Sequence, residues 1–162
     1  MSEGRPVKES QSEYSELAMP NDANPLGNLF GGKVMALVDL AGSIAAARHA
    51  RSSVVTASID NMNFLYPVRI GELVTCYSQV NRVFKTSMEV GVKVFVENLK
   101  TGERRHTSSA YLTFVALGPD GQRVPIPPVI ADTDEEKRRY EDALMRREFR
   151  LELKKRALES WD

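Results

Sequence analysis

Between residues 53 and 117 the chain consists of four successive runs rich in Val, Thr, Phe, Tyr and Ile, at 53–66, 72–84, 87–99 and 105–117. All four are predicted to be long strands. In the third, Met88, Val90, Val92, Val94 and Val96 alternate with Glu89, Gly91, Lys93, Phe95 and Glu97. That period of two predicts a sheet with one buried face. The joints at 67–71, 85–86 and 100–102 are too short for the crossover that parallel neighbours need, so the strands should pair antiparallel. Immediately upstream, GGKVMALVDLAGSIAAARHA is built mostly of good helix formers. It predicts a helix over 32–49 with Val34, Leu37, Val38, Leu40, Ala41 and Ile44 on one broad apolar face. A long helix laid on one antiparallel sheet is an α+β architecture.

The flanks read differently. Residues 1–12 carry charges, Ser, Gln, Gly and Pro with little to bury, and predict a mobile tail ahead of a body over 13–130. The stretch 118–132 is rich in proline and irregular. It leads into a C-terminal unit, 131–162, with a helix over 133–158 for which Asp132 or Thr133 is the candidate cap. In that helix Tyr140, Leu144, Phe149, Leu151 and Leu158 stand among dense Glu, Lys and Arg, as in an amphipathic helix docked on the body or on a neighbouring subunit.

Composition excludes several classes. Lysine plus arginine (22) balance aspartate plus glutamate (22), so the basic surplus of a nucleic-acid or anionic-membrane binder is missing. The single cysteine, Cys76, allows neither an intrachain disulfide nor a cysteine-cage zinc site. The polar start has no apolar signal core, and no run approaches the ~18 apolar residues of a spanning helix. The expectation is a cytoplasmic protein with no membrane or nucleic-acid partner.

Asp39 interrupts the apolar run 34–47, and its helix offers it no cation: the positions three and four away are Met35, Ala36, Gly42 and Ser43. Its face also includes Gly32, Ala36, Ser43 and Ala46, small side chains that leave room for a substrate or a partner chain. Asp39 is therefore a candidate general base or nucleophile, against the plainer reading of a carboxylate bonded to a neighbouring loop. Upstream, PNDANPLGNLFGG is a shaped loop. Its Asn24 is either a turn former or an amide that orients water or donates to an oxyanion. Gly31 and Gly32 open the helix, where free amides and the dipole favour a developing negative oxygen. His49 reads as a helix C-terminal dipole partner, and His106 has no evident role. Lys85, Thr86 and Ser87 form a polar turn that could hold a phosphate. Phosphate-loop, dinucleotide and hydrolase-elbow motifs are missing.

The succession Asp22-Ala23-Asn24, Gly27-Asn28, Gly31-Gly32, Asp39, Ala46-Ala47-Arg48-His49, Val54-Val55-Thr56, Asp60, Phe64 with Pro67, and Thr86-Ser87-Met88-Glu89-Val90 resembles the hotdog-fold acyl-CoA thioesterases, in the group of the YciA-type enzymes and brain acyl-CoA hydrolase. The resemblance implies a hotdog fold: a long central helix wrapped by an antiparallel sheet, plus a C-terminal helix. It implies homodimers joined edge to edge, grouped as trimers of dimers, with a site between subunits that hydrolyses acyl-CoA to a carboxylic acid and coenzyme A. In that site Asp39 would act on water or on the thioester, Asn24 of the opposite subunit would position the reacting group, and the amide near Gly32 would polarise the carbonyl. Coenzyme A would lie by Gly31, Val54, Val55 and Thr56 and the turn holding Arg82, Lys85, Thr86 and Ser87. No metal or redox cofactor is implied, since coenzyme A belongs to substrate and product. Two other readings remain: a non-catalytic acyl-CoA sensor or assembly protein, and a hotdog dehydratase, which would want a catalytic histidine.

Overall fold

The expected antiparallel sheet forms, with one strand more than the four runs predict. A computed structural model describes residues 3–161, in the order β1 (Arg5–Pro6), a 3-10 turn (Val7–Glu9), β2 (Ser12–Leu17), a second 3-10 turn (Pro20–Asp22), α1 (Gly31–Ala50), β3 (Ser53–Ile59), β4 (Leu73–Val83), β5 (Ser87–Glu97), β6 (Arg104–Leu117), β7 (Val129–Ile130) and α2 (Asp134–Glu159). The main sheet has the order β2-β4-β5-β6-β3, antiparallel throughout. Its two edges are β2 and β3.

α1 lies on one face of this sheet and buries Val34, Leu37, Val38, Ala41, Gly42, Ala45, Ala46 and His49, a stripe with the spacing of one helix face. The buried face is rotated from the expected one: Leu40 is 44% exposed and Ala46 is buried. Small residues explain the rotation. A Cβ on Gly42 would come within 3.1 Å of the Phe114 ring, so the helix presents its slimmest side to the sheet.

Three strands carry bulges that break the period of two, one of them β6, where Thr107 is the extra residue between the pairs Val94–Ser108 and Phe95–His106. In β4 the register shifts between Val80 and Arg82, and in β3 between Thr56 and Ser58. The run at 53–66 therefore gives a strand only as far as Ile59. Beyond it the chain still tracks β6 through the bonds Asp60 N–H to Tyr111 O and Leu65 N–H to Thr107 O. No ladder continues there.

The expected mobile tail is corrected from residue 5 onward; Met1 and Ser2 lie outside the described residues. Arg5 and Pro6 pair in parallel with Val129 and Ile130, Val7 is 1% exposed in the core, and the Arg5 guanidinium donates to the His49 carbonyl. One buried valine and one strand pair anchor a segment whose composition is otherwise polar.

The second sheet face is also covered, where the alternation predicted one buried face only. α2 opens with a capping box: Thr133 Oγ1 accepts from the Glu136 N–H, and the Glu136 carboxylate accepts from the Thr133 N–H, both at 3.1 Å. The helix then crosses the outer face and buries Ala143 completely. Beneath it Glu89, also fully buried, accepts from Arg146 at 2.7 Å, Arg150 at 3.4 Å and Asn81 at 3.0 Å. A charge is tolerated there because it is paired and hydrogen-bonded. Among the described residues no helix is long and apolar enough to cross a membrane.

Candidate active site

Asp39 stands in the third turn of α1, on the helix side that the sheet leaves open. Gly31, Gly32, Met35, Ala36 and Leu40 are exposed around it, and Asp39 itself is half-buried. Thr56 on β3 donates its hydroxyl to Asp39 Oδ1 at 2.6 Å. The strand thus anchors one carboxylate oxygen and leaves Oδ2 to accept from another donor. Sequence reasoning placed Thr56 beside a coenzyme and missed this bond. The two residues lie on different elements, and only the packing of α1 under β3 brings them together.

The loop ahead of α1 is held from several sides. Leu29 is buried and donates its N–H to the Val68 carbonyl at 2.7 Å, and Lys33 ties Glu16 (3.0 Å) to Asp22 (3.6 Å). Within it Asn24 Oδ1 accepts from the N–H groups of Leu26 and Asn28 at 3.0 and 3.1 Å. Asn24 is a turn former after all, but only through its oxygen. Two backbone donors on one side-chain atom fix which end is the oxygen, so the remaining NH2 is a donor of defined direction. Asn24 and Asp39 are not bonded within the chain. Asp39 lies eight residues into α1 from Gly31, about 12 Å along its axis.

No side chain caps α1; the Lys33 and Val34 N–H groups donate to the Phe30 carbonyl, and the Gly31 and Gly32 amides are left as free donors. Nothing lies within 4 Å of the Cβ position of Gly32, and that of Gly31 meets the Phe64 ring at 3.5 Å. A ligand atom can approach the helix end at Gly32 without obstruction.

The sheet brings the remaining predicted contacts to one end. Val55 pairs with Val115, which pairs with Ser87, so the β4–β5 turn and the start of β3 share one row, two strand spacings or about 10 Å apart. The turn is tight. Lys85 takes φ 78°, its carbonyl accepts from Ile126, and the Thr86 carbonyl accepts from Ala116. Backbone bonds hold the turn and leave the exposed Lys85 ammonium outside. Arg82 is engaged elsewhere: its guanidinium stacks 4.1 Å from the Tyr140 ring centre and donates to the Tyr140 carbonyl. Ser87 Oγ accepts from Arg147 at 3.4 Å.

An exposed apolar belt runs over α1, β3 and the segment that follows it: Phe30, Met35, Leu40, Val55, Phe64, Leu65 and Tyr66 are each between 39% and 65% exposed. It was not visible in the periodicity, because half of it lies on irregular backbone. His49 is fully buried, with Nε2 2.8 Å from the Pro127 carbonyl; burial holds its pKa below the ordinary value, a shift that bond opposes and the Arg5 charge reinforces. A neutral ring, with Nε2–H as donor, fits that position. Burial pushes the Cys76 thiol up to about 12. Among the described residues no group of three His, Cys, Asp or Glu could hold a metal ion.

The family described as Thioesterase superfamily matches residues 26–103. A Bacillus subtilis protein named as the uncharacterized acyl-CoA thioester hydrolase YkhA is 44% identical over 144 residues, 89% of this chain and 84% of its own. Among solved structures, an apo-hexameric acyl-CoA thioesterase is 43% identical with a TM-score of 0.89, covering 96% of this chain and 98% of the other. The acyl-CoA hydrolase of Staphylococcus aureus, solved with butyryl coenzyme A, coenzyme A and coenzyme A disulfide, is 32% identical with a TM-score of 0.86 and covers 96% of each chain. Its single variants with an aspartate, an asparagine or a threonine changed to alanine have been solved as well. With this identity and coverage joined to a sheet wrapped on a long helix, the chain belongs to the acyl-CoA thioester hydrolases of the thioesterase superfamily.

Proposed function

We propose that the chain hydrolyses acyl-CoA to a free carboxylic acid and coenzyme A, with Asp39 of one copy and Asn24 of a second copy at each site. The observation that carries this reading is the Thr56–Asp39 bond at the open side of α1. Asp39 Oδ2 takes a proton from water as the water oxygen attacks the thioester carbonyl carbon. The Gly32 amide and the Asn24 NH2 donate to the oxygen on which negative charge develops. The C–S bond then breaks, and the proton passes from Asp39 to the departing thiolate. Lys85 is placed to meet a phosphate of the coenzyme, with Gly31, Val54, Val55, Thr56, Thr86 and Ser87 along its path and Arg82 set back under Tyr140.

A second copy enters this reading because no hydrogen bond joins Asn24 to Asp39 within one chain. The free edge of β3 and the apolar belt beside it support pairing of β3 with β3 of another copy, and trimers of such dimers match the hexameric relative. Residue spacing supports the same three side chains. In the S. aureus enzyme the substituted asparagine, aspartate and threonine follow one another at fifteen and then seventeen residues. Asn24, Asp39 and Thr56 keep both intervals. We also place the protein in the cytoplasm, where its lone buried thiol stays reduced.

Thiol release from acyl-CoA esters of short to long chain tests the reading. Wild type should turn over at least one ester, and Asp39→Ala should lose about 100-fold or more while keeping its fold. Equal turnover by Asp39→Ala would remove Asp39 from the chemistry. Ester binding without turnover by wild type would favour an acyl-CoA sensor instead.

A further inference from the structure

α2 is longer than the sheet it lies on. Its first half runs from Glu135 beside Lys93, past Arg82 under Tyr140, to Arg146 on Glu89, and at Arg150 it bonds Asp60, just beyond the end of β3. At that point the sheet ends, because β3 is its edge. The helix continues to Glu159, with residues 151–160 all exposed. From Leu153, which still borders a cavity with Ser58, Ile59 and Asp60, six more residues carry it about 9 Å outward. That is close to two strand spacings.

The face turned toward the sheet does not stop at the edge. Ala143, Arg146 and Arg150 recur at helical spacing, the series goes on through Leu153 and Ala157, and Trp161 follows just past the helix end. As it passes the edge the face changes from arginine to apolar side chains, Leu153 being 48% and Trp161 87% exposed. A helix end meant for water would not place a leucine and a tryptophan there.

We infer that the end of α2, through Leu153 and Ala157 and with Trp161 just past it, docks on the outer sheet face of a second copy, against its Val55 and Val115. This rests on the β3–β3 pairing proposed above. A full-length antiparallel pairing about a two-fold axis sets residues 57–59 of one strand beside 53–55 of the other. Each α2 leaves its own sheet over the 58–60 end, so its overhang arrives above the 53–55 end of the second copy. There Val55 is 45% exposed on the outer face, and Val115 stands beside it in the ladder. The contact is reciprocal. Each copy embraces the other, and the last turn of α2 lies near the other copy's Lys85–Ser87 turn.

Thiol cross-linking tests this on the full chain, since Cys76 is buried and its thiol stays protonated. A double variant, Val55→Cys with Ala157→Cys, is treated with a short bis-maleimide, and Thr56→Cys, at the centre of the β3–β3 pair, is oxidised in parallel. Covalent dimers from both support the inference, because reciprocal links close within one pair of chains. A Thr56→Cys dimer alongside only monomers, or a ladder of trimers and larger species, from the double variant overturns the α2 docking and leaves the β3 pairing standing. Failure of Thr56→Cys to form a dimer overturns both.

Discussion

Glu89 on β5 and Arg146 on α2 meet through two parallel hydrogen bonds, with Nη2 2.7 Å from Oε1 and Nε 3.1 Å from Oε2. The carboxylate is fully buried and the guanidinium 24% exposed. Breaking a buried pair strands one charge, whereas surface pairs contribute little. Glu89→Ala should destabilise the fold by about 3 kcal/mol, the low end for such pairs because both arginines can still reach water. Denaturant unfolding measures it. Adding Arg146→Ala should cost clearly less than it does alone, and strict additivity would mean that the pair does not hold α2 in place.

Thr56 holds one oxygen of Asp39, and in the proposed reaction it touches none of the reacting atoms. Thr56→Val removes the hydroxyl at nearly constant volume. A hydrogen bond to a charged group contributes roughly 1.5–3 kcal/mol, so kcat should fall about 10- to 100-fold. Thr56→Ser should recover most of it. An unchanged kcat in the valine variant would show that Asp39 needs no anchor.

Under the proposed mechanism Asn24 separates loop folding from chemistry, its oxygen holding the turn and its NH2 meeting the substrate. Asn24→Asp keeps an oxygen for the N–H groups of Leu26 and Asn28 but replaces the free NH2 donor with negative charge. The melting temperature should stay close to wild type while kcat/KM falls about 100-fold or more. Loss of fold together with activity would assign Asn24 to the loop alone.

Acid stability should carry the mark of His49. Its pKa in the folded chain lies below the ordinary 6.5, mainly through burial. The unfolded chain then binds the extra proton first. Stability from this group is whole above pH 6.5 and is lost as pH falls below it. Unfolding free energy measured against pH should slope downward there, and the slope should shrink in His49→Gln. An unaltered slope in that variant would trace it to other groups.

Much of this architecture could be read from residue order. The four β-rich runs, α1 to within one residue at each end, the Thr133 cap and the oddity of Asp39 all follow from local pattern. What could not be read depends on contacts between distant segments. Val7 is one apolar residue in a polar stretch, and it becomes core once Arg5 and Pro6 just ahead of it pair with Val129 and Ile130. Glu89 looks like one polar position in an alternating strand until α2, 57 residues on, supplies Arg146. Leu40 looked like core because aliphatic size was weighed above the close approach that Gly42 permits.

The bulge at Ala57 inverts the phase of β3. Before it the even residues Val54 and Thr56 face α1, and after it the odd residue Ile59 does, paired with buried Leu112. A strand with such a defect cannot slide by one place and still satisfy both halves. Thr56 is held opposite Asp39 by the strand's own irregularity, so the edge proposed to meet another chain has only one way to present itself.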